Sequence, residues 1–186
     1  SAAMLAHPDT YPVFVPVLAG LFAGLLLGSF NGFIITKSKI APFIVTLGTM
    51  TIGRGLALIL SNGRPVSNLS DTFVFIGSGK IIGIPVLILI LIIMFILCTI
   101  ILNKTILGRY IYAVGGNEQA SRASGINVTQ VKMAVYSISG LLAGLAGILL
   151  TSRITTGQPN AGAGFELDAI AAVVIGGTST TGGKGS

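Results

Sequence analysis

A glycine-rich segment near the C-terminal end has residues of the type that hold phosphates. It ends in Gly-Gly-Lys-Gly-Ser at 182–186, and phosphate-binding loops combine backbone N–H groups of glycines with a lysine. The spacing does not fit that motif, because Thr178 stands where its first glycine is needed and Gly185 stands where its Ser or Thr is needed. We therefore predict that this chain does not itself bind ATP.

A pair of carboxylates, Glu166 and Asp168, is the only close acidic pair in the chain. Two such groups could exchange protons or hold a cation, but no third ligand or nucleophile stands near them. They come just before an apolar stretch at 169–175. Acidic residues in a first turn complement the helix dipole, so we interpret the pair as the start of a helix.

Histidine and cysteine each occur once, as His7 and Cys98. The sequence therefore offers no histidine relay, no cysteine cluster for a metal and no disulfide within the chain. No nucleophile and base stand at a catalytic spacing either. We predict that the chain is not an enzyme and has no metal site, and that its apolar segments carry the function.

Composition places those segments in lipid. Of the 186 residues, 52% are hydrophobic and 9% are charged, and the mean hydropathy is +0.93, whereas about a quarter of the residues of a soluble domain are charged. The formal net charge of +6 would suggest nucleic-acid binding in a soluble domain. In a membrane protein, Lys and Arg gather on the cytoplasmic side, so we expect no nucleic-acid partner.

Four apolar segments are long enough to cross the bilayer core as helices, which takes about 20 residues. They lie at about 13–35, 41–60, 81–102 and 133–151. A shorter segment at 169–175 is either a half-helix or a span truncated by the chain end. We predict an all-α, polytopic transmembrane bundle, a single domain over 1–186 that we expect to be a piece of a longer chain, truncated at both ends.

Glycine recurs at helical spacing in the first and fourth spans. A face without side chains allows a neighbouring helix backbone to approach closely. Glycine is also simply common in membrane helices, but four positions in register favour packing. The predicted packing positions are Gly20, Gly24, Gly28, Gly32, Gly140 and Gly144.

The second span is more polar than the others. Polar atoms that face lipid are costly, so this span is expected to face protein or a water-filled cavity. Arg54 could instead extend its guanidinium to the lipid headgroups. The third span is apolar on every face and is predicted to touch lipid. Our candidate substrate-pathway residues are Asn31, Thr46, Thr49 and Arg54.

The positions of Lys and Arg orient the spans. By the positive-inside rule the end richer in Lys and Arg is cytoplasmic, which places the N-terminus outside. No Asp or Glu falls within the four spans, and this argues against an ion-coupled secondary transporter. The inner end holds seven of the eleven basic residues, Lys37, Lys39, Lys104, Arg109, Arg122, Lys132 and Lys184, and the outer end holds Asp9, Asp71, Glu166 and Asp168.

The one long inner loop, 103–132, contains a short predicted helix at 118–124. Asn117 can cap its start, and Gly125 can end it in the left-handed conformation. The helix carries small residues but no bulky apolar stripe, so it is stable only when docked on another surface. An ordinary connecting loop remains the alternative, but it would not need a helix bounded so tightly. We predict that this segment docks on a cytoplasmic partner.

Six segments of the chain form a recognisable set: PFIVTLG at 42–48, RGLAL at 54–58, GRY at 108–110, GGN at 115–117, SGI at 124–126 and ELDAIAAVVIGGT at 166–178. Together they resemble a known family, the ribose-type permease subunits of bacterial ABC importers. The similarity covers nearly the whole chain. It implies the ABC importer permease fold, a place in the bacterial cytoplasmic membrane, and further spans beyond both ends.

The resemblance implies a membrane subunit that translocates ribose or a similar monosaccharide. Xylose, galactose or an autoinducer-type furanose are the alternative substrates. It also implies three partners within or beside the lipid membrane: an ATPase, a periplasmic or lipid-anchored sugar-binding protein, and a second permease copy in a homodimer. The partner ATPase would bind ATP and Mg²⁺, so the subunit itself is expected to carry no cofactor. The family's cytoplasmic coupling motif, which contacts the ATPase, corresponds here to Gly115, Gly116, Asn117, Glu118, Ala120, Ser121, Ser124, Gly125 and Ile126.

Overall fold

The computed structural model describes residues 2–6, 11–38, 40–178 and 182–183, so His7, Asp9, Lys39 and Lys184 lie outside the described residues. Within these ranges the chain forms nine helices and one hairpin of two short antiparallel strands. The strands are β1 (Lys80–Ile81) and β2 (Ile84–Pro85). The helices are α1 (Ala2–Leu5), α2 (Phe14–Ser38), α3 (Pro42–Leu60), α4 (Asp71–Ser78), α5 (Val86–Lys104), α6 (Ile106–Gly116), α7 (Glu118–Ala123), α8 (Val128–Ile154) and α9 (Phe165–Ile175).

Four of the described helices, α2, α3, α5 and α8, are long and apolar enough to cross a membrane. This confirms the predicted all-α arrangement of four spans. α9 has 11 residues and ends at its C-cap, Gly176, so the last apolar segment is a half-helix. The acidic pair lies in the first turn of α9, where Glu166 Oε2 accepts a hydrogen bond of 3.0 Å from Gly164 N, as expected of a helix start.

The structure differs from the sequence prediction at the start of two helices and by one additional helix within the predicted inner loop. α5 begins at Val86 rather than near residue 81, because the preceding residues pair in the β1–β2 hairpin. α8 begins at Val128, five residues before the predicted start at 133, because the side chain of Asn127 accepts a hydrogen bond from Gln130 N and caps a polar first turn. The predicted inner loop also contains α6, which Thr105 caps by accepting from Gly108 N.

α2 and α8 pack with their backbones in close approach. A Cβ atom on Gly24 would collide with the carbonyl oxygen of Gly140, and one on Gly28 would collide with the carbonyl oxygen of Tyr136. Next to Gly28 and Tyr136, the hydroxyls of Ser29 and Ser137 lie 2.9 Å apart. The other predicted packing glycines also lie against the opposite helix: Gly20, Gly32 and Gly144.

One end of the α2–α8 pair is covered by α4 and by two connecting segments; we call it the outer end. α4 buries Phe73 completely, and Ser152 of α8 donates a 2.6 Å hydrogen bond to the carbonyl oxygen of Phe73. Val66 and Gly157 exchange two backbone hydrogen bonds of 2.9 and 2.8 Å. The α3–α4 and α8–α9 connections therefore meet at the same end, as the predicted topology requires.

The opposite, inner end joins the α2–α3 turn to α7 and to the start of α8. Thr36 and Pro42 face Glu118 and Lys132 across a pocket of ≈390 Å³. Lys37 lies in the last turn of α2. It is therefore at the same end as Arg122 and Lys132 of the pocket, the end that the positive-inside rule assigns to the cytoplasm.

The other two spans are more exposed. Every residue of α5, all of which the structure describes, is at least partly exposed, in agreement with the predicted contact with lipid. α3 buries Val45 and Thr49. At these two residues α3 faces protein, whereas its polar residues Thr51 and Arg54 are exposed. The expectation that the polar face of this span lies against protein or a water-filled cavity therefore stays a prediction.

Replacing Gly140 with alanine tests the close approach of α2 and α8. The new Cβ would overlap backbone atoms of Gly24 and Gly28, so we expect a destabilisation of about 1–3 kcal/mol, typical of overpacking. The measurement is the thermal unfolding midpoint of the purified subunit in detergent. Gly147→Ala is the matched control, because nothing lies within 4 Å of a Cβ at that position of the same helix. An equal effect of both substitutions would contradict the packing role of Gly140.

Candidate functional site

A groove of ≈510 Å³ opens between α2, α3 and α8 near the outer end. Its walls are glycine, alanine and aliphatic side chains from the three helices, with α1 and the 157–159 segment at its rim. None of the described residues that line it carries a charge. Its polar side chains are Ser61, Thr151 and Gln158.

The predicted pathway residues Asn31 and Thr49 meet just below this groove. Thr49 Oγ1 donates a 2.6 Å hydrogen bond to Asn31 Oδ1, and Thr49 is buried. Asn31 follows the lining residue Leu27 by four positions, and Thr49 precedes the lining residue Gly53 by four, so each lies one helical turn farther inward on the same face. This bond ties α2 to α3 where the groove ends.

The other two predicted pathway residues lie elsewhere on α3. Thr46 Oγ1 donates to the carbonyl oxygens of Pro42 and Phe43 in its own helix. Arg54 is exposed. The structure does not bring either side chain to the groove, and their pathway role stays a prediction.

The sequence interpretation missed the polar side chains of the groove. Thr151 continues the small-residue face of α8 that runs through Gly144 and Gly147, so its helical spacing could have revealed it. Ser61 and Gln158 lie outside the helices and have no such periodicity. Only the meeting of the α3 end with the α8–α9 connection brings them to one groove.

At the inner end, the short helix predicted at 118–124 is present as α7. Asn117 Oδ1 accepts a 2.9 Å hydrogen bond from Ala120 N. Gly125 has φ +83°, and the following Ile126 N donates to Ser121 O at 3.1 Å. The predicted cap and the predicted left-handed end are both confirmed.

α7 is held on α8 by a charged contact. Lys132 Nζ of α8 donates to Glu118 Oε2 at 2.6 Å, and Arg122 donates to Glu118 Oε1 at 3.3 Å. The hydrogen bond from Lys132 lowers the pKa of Glu118 below its ordinary value of 4.5, against the opposing effect of desolvation, and Arg122 adds to the lowering. Glu118 is therefore ionised at neutral pH and fixes the first turn of α7 to the start of α8.

The remaining residues of the predicted coupling segment divide by exposure. Ser121 is buried, so its side chain faces the rest of the chain and is not part of the exposed surface of α7. Gly183 lies against Gly115 at the end of α6. Gly115 and Gly116 are exposed but have Gly183 beside them. The other exposed residues, which form the free surface of the segment, are Asn117, Ala120, Ser124 and Gly125, with Ile126 and Glu118 half-buried.

Residues 1–184 match the family described as the branched-chain amino acid transport system / permease component. The chain belongs to this family of permeases. The family, together with the four apolar helices, identifies a multi-pass protein of the bacterial cytoplasmic membrane. No solved structure matches the chain.

Several curated permeases are similar to the chain. The ribose import permease protein of Haemophilus influenzae is 49% identical over 178 residues, which cover 94% of this chain and 55% of that protein. The ribose import permease protein of Bacillus subtilis is 52% identical over 157 residues, 83% of this chain and 49% of that protein. The L-arabinose transport system permease protein of Escherichia coli is 43% identical over 176 residues, 95% of this chain and 54% of that protein. The chain thus spans about half the length of these permeases.

Replacing Glu118 with glutamine tests whether its charge holds α7 in place. We expect amide exchange of α7 to become about twofold faster, the size of effect expected for a solvent-exposed ion pair. Since the pKa of Glu118 is lowered in the folded chain, its stabilising effect is present above pH 4.5 and is lost as the pH falls through the lowered pKa. Hydrogen exchange between pH 7 and pH 3, corrected for intrinsic rates, is the measurement.

Arg122→Gln is the control for this substitution. It removes the longer contact to Glu118 and leaves the 2.6 Å contact from Lys132 intact. The exchange rates of α7 should therefore change less than in Glu118→Gln, and should keep the pH dependence that the Glu118→Gln variant loses. If the two variants exchange alike, the Lys132 contact does not hold α7.

Proposed function

We propose that the chain forms the pathway region of the membrane subunit of an ATP-driven ABC importer, which translocates ribose or a related monosaccharide into the cytoplasm. The observation that carries the proposal is the arrangement along one helix pair. An uncharged groove opens at the outer end of α2 and α8, and a capped, docked helix projects at their inner end. The similarity to permeases named for ribose supports the substrate class, and the L-arabinose permease makes another pentose the alternative.

The chemistry of the groove suits a sugar. An uncharged polyol needs hydrogen-bond partners but no buried counter-charge. Ser61, Thr151 and Gln158 offer hydroxyl and amide groups, and the remaining walls are apolar or lack side chains. An ion-coupled transporter would need a carboxylate within its spans, and the sequences of α2, α3, α5 and α8 contain none.

The energy for transport is proposed to come from a partner ATPase that binds ATP and Mg²⁺, so that this subunit needs no cofactor of its own. The exposed residues around α7 are proposed to seat in a groove of that ATPase. A sugar-binding protein is proposed to deliver substrate at the outer end, and a second copy of the subunit to complete the pathway within the lipid. These partners follow from the resemblance to ABC importers, and the projecting α7 supports the first of them.

α8 offers a direct mechanical connection between the two ends. Lys132 near its start holds Glu118 of α7, and Thr151 near its end lines the groove. The two positions are 19 residues apart, about 28 Å along a helix. Movement of α7 by the ATPase is proposed to shift α8 as a rigid body relative to α3, which opens or closes the groove. The ATPase drives this change only if it binds α7 differently in the two states.

The coupling role is tested by two substitutions of Gly125. Valine is strained at the φ of +83° observed there, whereas asparagine tolerates that region. We expect Gly125→Val to lower sugar-stimulated ATP hydrolysis by about tenfold in the reconstituted importer while the subunit still inserts in the membrane. Gly125→Asn should keep most of the activity.

Co-purification with the ATPase is the companion experiment. Replacing 115–126 with a flexible linker of equal length should abolish recovery of the ATPase with the full-length subunit in detergent. An ATPase recovered equally well with both forms would place its contact elsewhere. If no ATPase is recovered with the unaltered subunit, the importer proposal itself is wrong.

The pathway role of the Thr49–Asn31 contact is tested by Thr49→Val, which keeps the side-chain shape and removes the donor. The substitution leaves Asn31 Oδ1 without its donor, which costs about 1–3 kcal/mol and weakens the connection of α2 to α3 at the end of the groove. We therefore expect uptake of labelled ribose to fall about tenfold, with the amount of bound ATPase unchanged. Thr51→Val is the control, since that exposed hydroxyl bonds the Leu47 carbonyl of its own helix. Equal uptake by the two variants would exclude Thr49 from the pathway.

The preferred pentose is identified in the same uptake assay, by competition between labelled ribose and unlabelled L-arabinose in the unaltered subunit.

A further inference from the structure

The β1–β2 hairpin presents three isoleucines to the surroundings at the outer end of α5. Ile82 stands at the turn and is 97% exposed, and Ile81 and Ile84 on either side are each 45% exposed. Ile82 has φ +52° and Gly83 has φ +80°. A β-branched residue rarely adopts this left-handed conformation, and Asn or Gly is the usual choice there. The chain therefore holds a strained, apolar side chain outward at this turn.

The length of α5 indicates what surrounds the hairpin. The apolar part of this helix, 86–102, rises about 25 Å, which is about 5 Å less than the hydrocarbon core of a bilayer. The apolar sequence continues through the hairpin, so the isoleucines extend the lipid-facing surface of α5 beyond its first turn. Every residue of α5 is at least partly exposed, so an apolar helix surface lies next to the isoleucines of the hairpin.

The backbone of the hairpin is suited to the edge of a bilayer. Irregular backbone is excluded from hydrocarbon unless its polar groups are paired. Here Ile81 pairs with Ile84, and Val86 N donates a 3.0 Å hydrogen bond to Gly79 O. Lys80 is exposed on the first strand, and an ammonium at this depth can reach the phosphates of lipid headgroups.

We propose that residues 80–85 form an interfacial membrane anchor. The side chains of Ile81, Ile82 and Ile84 enter the outer boundary of the acyl chains, and the ammonium of Lys80 contacts lipid phosphate. The anchor sets the depth of α5, and it also positions α4, which ends directly before it and packs on α8 at the outer end. The inference requires only that the chain spans a membrane and does not depend on which substrate it carries.

Fluorescence of an introduced tryptophan tests this anchor, because the chain has no tryptophan of its own. Ile82→Trp is compared with Ser67→Trp, an exposed position of the α3–α4 connection at the same end. Both are measured in the full subunit reconstituted in phosphatidylglycerol-containing vesicles, with any tryptophan elsewhere in the subunit replaced by phenylalanine. We expect Ile82→Trp to emit at shorter wavelength and to be quenched at least twofold more by lipids brominated near the carbonyl end of the acyl chain than by lipids brominated near the methyl end.

The control variant Ser67→Trp and the double variant with Lys80→Gln should both show less quenching by brominated lipid than Ile82→Trp alone. Ser67→Trp should be quenched by aqueous iodide and not by brominated lipid. Adding Lys80→Gln to Ile82→Trp should reduce the lipid quenching in anionic vesicles, and unchanged quenching would overturn the role of the lysine. Iodide quenching of Ile82→Trp equal to that of Ser67→Trp would place the hairpin in water. Short-wavelength emission of Ile82→Trp that neither iodide nor brominated lipid quenches would place the hairpin against protein. A hairpin in water or against protein would overturn the proposed anchor.

Discussion

The close approach of α2 and α8 is the contact on which the other features of the structure depend. Between helices in lipid there is little hydrophobic attraction, so association relies on van der Waals packing at short range. Gly24, Gly28 and Gly140 allow the two backbones to touch, since a Cβ at any of them would overlap atoms of the opposite helix. The pairing fixes the position of α8, whose outer end lines the groove and whose inner end contacts α7.

α8 is held differently at its two ends. At the outer end, Ser152 donates to a backbone carbonyl of α4 in a fully buried setting, where an unmade hydrogen bond would be costly. At the inner end, Lys132 binds Glu118 in a half-exposed setting, where an ion pair contributes little and responds to pH and salt. The stronger attachment thus lies beside the groove, and the weaker one lies where a partner is proposed to pull.

The distribution of charge in the structure is consistent with the proposed transport of a neutral substrate. The groove is lined by hydroxyls, an amide and apolar walls, and the contact below it is between a hydroxyl and an amide oxygen. Lys37, Arg122 and Lys132 are kept at the inner end, outside the groove. On the lipid side, α5 is apolar over 86–102, and the hairpin before it is proposed to make up the length that the helix lacks.

The sequence by itself determined the membrane class, the four spans, the packing glycines and the bounded helix α7. These features depend on composition, on helical periodicity and on capping residues such as Asn117 and Gly125, all of which are local. It did not reveal α6, which lies within the segment predicted as a loop. It did not reveal the β1–β2 hairpin either, because an apolar segment can form a helix or a hairpin, and only the pairing of its strands decides between them. Only the tertiary structure joined Thr49 to Asn31 and brought Ser61 beside Gln158, since contacts between residues far apart in the chain follow from how the helices pack, which no local pattern records.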